Sequence, residues 1–121
     1  MISPYVFAGL SNTVKVSPDK IKELICEYFK ITVEDFESKK RYQELVNARS
    51  WYAFIQKYFY HKTFKQIAKE SGNRDHSSII HILSKFIDDA RIYNNTQFKE
   101  FLSSVNYQWG NKFEKIITEK F

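Results

Sequence analysis

Glycine and proline are scarce in this chain of 121 residues: three Gly and two Pro, with both prolines before residue 19. Few breakers leave long uninterrupted stretches, which favours helices over a sheet of many short strands. One cysteine, Cys26, rules out an internal disulfide, so the fold has to be held by packing, as suits a reducing cytoplasm. Its neighbours Ile25, Tyr28 and Phe29 predict a buried thiol rather than a reactive one. No apolar run approaches the roughly 18 residues that a membrane span requires. Nor is there a basic segment followed by an apolar stretch at the N-terminus, so no secretory signal is expected.

What is abundant is aromatic side chain, at 17%, within a hydrophobic content of 43% and a charged content of 27%. These are proportions of a folded globular chain, long enough for a continuous core. The net charge of +5 is unevenly spread. Residues 1–38 hold four Lys/Arg against six Asp/Glu, residues 39–85 hold ten against three, and residues 86–121 hold five against five. A basic belt confined to the middle of a chain suits a polyanionic partner, although a solvated basic surface produces the same count.

Residues 1–16, with Pro4, Gly9 and Ser11-Asn12-Thr13, read as an irregular N-terminal arm. Ser17-Pro18 opens a helix, because Ser caps free backbone N–H groups and Pro fits the first turn. Ile21, Leu24, Ile25, Tyr28 and Phe29 then share one face, predicted to be a core face. Thr32 and Asp35 predict a capping box for a short helix carrying Val33 and Phe36. Ser38-Lys39-Lys40-Arg41 is a basic loop or helix start. From Tyr42 to Tyr60 runs the longest predicted helix, with Leu45, Ala48, Tyr52, Ile55 and Phe59 along one stripe and Trp51, Phe54 and Tyr58 beside it. Such a helix is buried over most of its circumference and forms a central strut.

Thr63 and Gln66 predict a second capping box, and the short helix they start ends at Gly72, a natural left-handed terminus. Asn73-Arg74-Asp75 is the turn. Asp75 caps a helix from His76 to about Ile92, with Ile79, Leu83, Phe86 and Ala90 inward, flanked by Ile80 and Ile87. After the Asn94-Asn95-Thr96 interruption, Gln97 to Val105 predicts another helix with Phe98, Phe101 and Leu102 inward. Tyr107 to Phe121, with Trp109, Phe113, Ile116, Ile117 and Phe121, predicts a last amphipathic one. The expected division is an arm over 1–16, a DNA-binding domain over 17–93 and a C-terminal helical extension over 94–121.

A short capped helix, a turn and a longer helix outline a helix-turn-helix. Phe64 and Ile67 are expected against Ile79, Ile80 and Leu83, with small Ala68 letting the axes approach. The outward residues of the second helix, His76, Ser77, Ser78, His81, Ser84 and Lys85, are short or polar. Groups of that kind at a helix start suit close approach to base edges, and the helix N-terminus favours phosphate. A plain solvated face is the competing explanation.

Gly72-Asn73-Arg74-Asp75-His76-Ser77-Ser78-Ile79-Ile80-His81 resembles the signature G-x-R-D-H-[TS]-T-V-x-H of the C-terminal DNA-binding domain of the bacterial replication initiator DnaA. Ser38-Lys39-Lys40-Arg41 and Ala48-Arg49 fall where that family has a basic loop and an Ala-Arg pair. The resemblance covers about residues 17 to 90. It implies an all-α, helix-turn-helix bundle of the DnaA C-terminal, Trp-repressor-like type that reads double-stranded DNA at a DnaA-box-like site.

By position, the resemblance implies that Arg49 reads guanine in the major groove, that Arg41 enters the adjacent minor groove, and that Asp75, His76 and Ser77 contact bases. Ser78 and Lys57 match backbone contacts. On the residues alone, Lys65 is placed to touch phosphate and His81 shares the polar stripe. An internal ion pair is the alternative for Arg49, a plain cap for His76, and pairing with Asp75 or a helix terminus for Arg74. Ser77 and Ser78 replace two threonines of the signature, losing methyl groups that pack on thymine, so a shifted preference is expected. Ser50 stands where the family has a long polar residue, and Ala48 where it often has proline.

No G-x-x-x-x-G-K-[ST] loop occurs in these residues, so no nucleotide cofactor or ATPase is expected of them. His61, His76 and His81 lack the spacing and companions of a metal site. A cytoplasmic, non-enzymatic, stand-alone regulator or accessory factor of replication or transcription is the resulting expectation, with replication proteins or a second copy, met through the C-terminal tail, as further partners. A protein-interaction adaptor on the same fold is the alternative.

Overall fold

The computed structural model describes residues 16–92 and 95–120. Apart from Val16, the expected N-terminal arm lies outside them. Every regular element among the described residues is a helix: α1 (Pro18–Phe29), α2 (Val33–Glu37), α3 (Gln43–Tyr58), α4 (Phe64–Glu70), α5 (His76–Ile92), α6 (Thr96–Val105) and α7 (Trp109–Lys120). None is long and apolar enough to cross a membrane.

Local chemistry sets the starts and stops. Ser17 accepts from the Lys20 N–H at 3.3 Å with Pro18 in the first turn, and Lys30 ends α1 in the left-handed region at φ 56°. Thr32 accepts from the Asp35 N–H at 3.0 Å, a single capping bond rather than the reciprocal box expected there. Thr63 and Gln66 do form the reciprocal box: the Gln66 N–H donates to Thr63 Oγ1 and the Thr63 N–H donates to Gln66 Oε1. Helix α3 begins one residue later and ends two residues earlier than the expected 42–60 span, without a side-chain cap at Tyr42.

The chain forms two compact units, one of them Ser17–Phe86. Its core is organised on α3, where every residue from Ala48 to Gln56 is buried. Ile21, Leu24, Ile25 and Cys26 of α1 and Phe36 of α2 are buried with them. Aromatic contacts tie neighbouring helices to the strut: Phe29 to Trp51 at 4.7 Å, Phe36 to Tyr52 at 5.4 Å and Phe54 to Phe86 at 5.6 Å between ring centroids. Each such pair is worth about 0.5–1.5 kcal/mol beyond the area it buries.

Two residues of the expected core stripes are exposed. Tyr28, in the last turn of α1, is 44% exposed although its ring touches Phe29 and Trp51. Ile80 is 39% exposed: it lies one residue beyond buried Ile79, rotated by a helical step toward the outer face.

In the other unit, α6 packs on α7. Phe98, Phe101, Leu102 and Val105 are buried, as are Trp109, Phe113 and Ile117. The Phe98 and Phe113 rings meet edge to face at 5.1 Å, and Lys99 pairs with Glu114. A Cβ placed on Gly110 would lie 2.3 Å from Ser103 Oγ, so glycine permits this approach of the two helices.

Candidate nucleic-acid interface

The turn between α4 and α5 is built from two residues at positive φ, Gly72 at 105° and Asn73 at 56°. Backbone bonds close it: the Asn73 N–H donates to Lys69 O and the Arg74 N–H to Ala68 O. Gly72 also lies against α2, where a Cβ would meet the Glu37 carbonyl oxygen at 2.2 Å. Glycine is therefore required twice, by conformation and by space.

Helix α5 leaves the turn with its first residues open. Asp75, His76, Ser77, Ser78 and His81 are all exposed. The Asp75 carboxylate accepts from the Ser77 hydroxyl at 3.0 Å and from the Ser77 N–H at 3.5 Å, and faces His76 Nδ1 at 3.3 Å. Those bonds from Ser77 hold the Asp75 carboxyl below its ordinary pKa and keep it ionised. Ile79 and Leu83 are buried beneath, which points the polar stripe outward, and Ile80 adds an apolar patch beside it.

The α2–α3 loop lies against the same turn. Arg74 donates from Nε to Ser71 O at 3.0 Å, and its terminal nitrogen donates to Ser38 O at 2.5 Å and Phe36 O at 3.4 Å. Arg41, in that loop, is exposed, as are Lys39 and Lys40, the latter paired with Asp35 at 3.1 Å. The loop of Arg41 and the N-terminal turn of α5 are thus joined through one turn.

Arg49 stands otherwise than expected. It is 3% exposed and its guanidinium is spent inside the protein: Nε donates to Phe36 O at 2.9 Å, one terminal nitrogen to Lys40 O at 2.7 Å, and the other to Asp35 O at 3.1 Å and Ser38 O at 2.9 Å. The partners are carbonyls on and beside the basic loop, so the internal ion pair weighed for it is not formed, and in this position the guanidinium faces inward. Burial, with Arg74 and Arg41 nearby, pulls its pKa down to about 10, which leaves it charged at neutral pH. Arg74 does not pair with Asp75; it binds helix termini, the other alternative for it, since Ser71 is the C-cap residue of α4 and Ser38 that of α2.

Lys65 is exposed on α4, whereas Lys57 is half-buried with its ammonium 4.4 Å from the centre of the Phe64 ring. Beneath α4 lies a partly buried polar knot that has no sequence signature. Glu70 accepts from Lys62 at 2.6 Å and from Tyr52 Oη at 3.4 Å, while Lys22 donates to the Glu70 carbonyl and to Glu37. It fastens α4 to α1, α2 and α3. Among the described residues, no group of three His, Cys, Asp or Glu is placed to hold a metal ion.

A capped short helix, a glycine turn and a helix whose first turn is polar and open define a helix-turn-helix protein of the DNA-binding class. Residues 18–85, more than half the chain, match the family described as bacterial dnaA protein helix-turn-helix, and the chain belongs to that family. It is similar to the chromosomal replication initiator protein DnaA of Spiroplasma citri, 28% identical over 98 residues that cover 81% of this chain and 21% of that one. The protein of the same name from Flavobacterium psychrophilum is 30% identical over 92 residues, 76% of this chain and 19% of the other. That from a Wolbachia of Brugia malayi is 33% identical over 75 residues, 62% and 16%. The chain thus spans about a fifth of the length of these relatives.

Proposed function

We propose that this chain binds double-stranded DNA at a preferred, DnaA-box-like sequence and acts as a regulatory or accessory factor in replication or transcription, with no ATPase step of its own. In this reading the first turn of α5 enters the major groove, where Asp75, His76 and Ser77 meet base edges and Ser78 and His81 lie toward the phosphates. Arg41 reaches the neighbouring minor groove, and Lys65 and Lys57 meet the backbone on either side. Arg49 is left out of the contact set.

The observation that carries the reading is the open N-terminal turn of α5 beside the exposed Arg41 loop, both fixed to the Gly72 turn. The partial positive charge at the helix start and the short side chains of Ser77 and Ser78 allow the backbone to come close to DNA. Exposed Ile80 gives the same face an apolar group for a thymine methyl, the kind of contact that serine in place of threonine gives up.

Selection from a random duplex library tests it. Enrichment of one short motif, bound equally with and without ATP, supports the reading. Failure to bind any duplex at low salt, together with a stable complex with a protein partner, would replace it with an adaptor role.

A further inference from the structure

We propose that Arg74 is a positioning residue for DNA reading: from the turn between α4 and α5 it holds the carbonyl edge of the α2–α3 loop, and so sets where Arg41 stands relative to the first turn of α5. The inference rests on the duplex-binding reading above.

Arg74 immediately precedes Asp75, the residue whose carboxylate caps α5. Its backbone N–H is bound to Ala68 O at 2.9 Å, and its Nε to Ser71 O at 3.0 Å, so the residue is rigidly part of the turn. The far end of the same guanidinium grips Ser38 O at 2.5 Å, three residues before Arg41 in the chain. One planar side chain therefore links two segments 36 positions apart. Ser38 is held in turn by Arg49, by its own N–H to Asp35 O at 3.1 Å, and by Lys40, whose N–H donates to Ser38 Oγ at 3.2 Å. Gly72, against the Glu37 carbonyl, brings the turn and the loop close enough for the bridge to be short.

Charge argues that the bridge serves more than stability. Burial and the presence of Arg41 lower the pKa of Arg74, and Arg74 and Arg41 both lower that of Arg49. Three guanidinium groups thus share one corner, and among the described residues no carboxylate pairs with any of them. A carboxylate there would calm the repulsion but cancel the field that draws a polyanion. Carbonyl oxygens hold the arginines in place and leave their charge uncancelled. Lysine cannot do the same, since its single ammonium lacks the planar fork that reaches Ser71 O and Ser38 O together.

The test uses the full chain and the duplex selected from the random library, in Arg74→Gln, Arg74→Lys, Arg41→Ala and the combined variants. Arg41→Ala alone weakens binding about tenfold, the size of one good groove contact. Combined with either Arg74 substitution, it adds less than about twofold, because the loop no longer presents Arg41 in register. Hydrogen exchange of the Lys40 amide without DNA quickens at least tenfold in both Arg74 variants, whereas amides in the middle of α3 keep their protection. Undiminished losses from Arg41→Ala in the Arg74 backgrounds, full rescue by Arg74→Lys, or unchanged exchange at Lys40 would each overturn the inference. Failure of the unaltered chain to bind any duplex would overturn the underlying reading and this inference with it. That result is distinguishable, since the exchange data would still report whether Arg74 holds the loop.

Discussion

Arg49 of α3 and Arg74 of the turn between α4 and α5 donate to one backbone oxygen, that of Ser38, at 2.9 and 2.5 Å. A carbonyl has two lone pairs, and here each is met by a guanidinium. The loop that carries Arg41 is therefore clamped from the central helix on one side and from the helix-turn-helix elbow on the other. Stability and DNA reading both draw on this clamp, and they can be separated by experiment.

Replacing Arg49 by Leu removes donors from four carbonyls, of Asp35, Phe36, Ser38 and Lys40. Asp35 O keeps its bonds from Ser38, and Ser38 O and Phe36 O keep Arg74, so the carbonyl that loses its donor is that of Lys40. A buried polar group left without a partner costs about 1–3 kcal/mol, and the expected loss is of that size. Urea denaturation is expected to show a clearly lower midpoint, and Arg49→Lys to recover only part of it, since an ammonium lacks the fork. A variant with an unchanged midpoint and selectively lost affinity would return Arg49 to the DNA.

Gly72→Ala sets a methyl 2.2 Å from the Glu37 oxygen at φ 105°, where an L side chain is strained. The expected destabilisation is on the order of 1–3 kcal/mol, read as a lower thermal midpoint. An unaffected midpoint would mean that the turn and α2 are not in contact.

Cys26 is buried, and that burial pushes its thiol up to about 11 from an ordinary 9.0. Iodoacetamide at pH 8 is expected to label the folded chain very slowly and the urea-unfolded chain readily. The linkage sign follows from the raised value: the contribution to stability is complete below about pH 9 and is lost as pH rises toward 11. Labelling at equal rates in both states would remove the buried-thiol assignment.

With Arg49 withdrawn, about five phosphates remain within reach of exposed cations, and log K against log salt is expected to fall with a slope of about −4 to −5. Lys65→Ala is expected to shallow the slope by about 1 and weaken selected and random duplexes alike, whereas His76→Ala costs about 1–3 kcal/mol on the selected duplex only. Equal losses from His76→Ala on both would take base reading away from the α5 terminus.

Helices and their ends were the legible part, because caps are made by side chains with letters: Ser17, Thr63 with Gln66, and Gly72 all sit where their chemistry places them. The polar stripe of α5 was readable for the same reason. The burial of Arg49 is written in the pattern, since it lies four residues after Leu45 and three before Tyr52, on the buried side of α3. Ile80 was drawn inward by its chemistry, yet it lies four residues from exposed His76 and exposed Ser84. The clamp itself had no sequence signal. Its acceptors are backbone carbonyls, which every residue owns, and only the folded path of the loop turns them toward the two arginines.

The central claim, that the Arg41 loop and the first turn of α5 meet one duplex together, is tested most directly by titrating the labelled chain with its selected duplex and following backbone amide shifts. The account predicts that Lys39 to Tyr42 and Asp75 to His81 move in parallel and saturate at one ratio of duplex to protein. Shifts confined to α6 and α7, or a loop and a helix terminus that respond at different ratios, would contradict it.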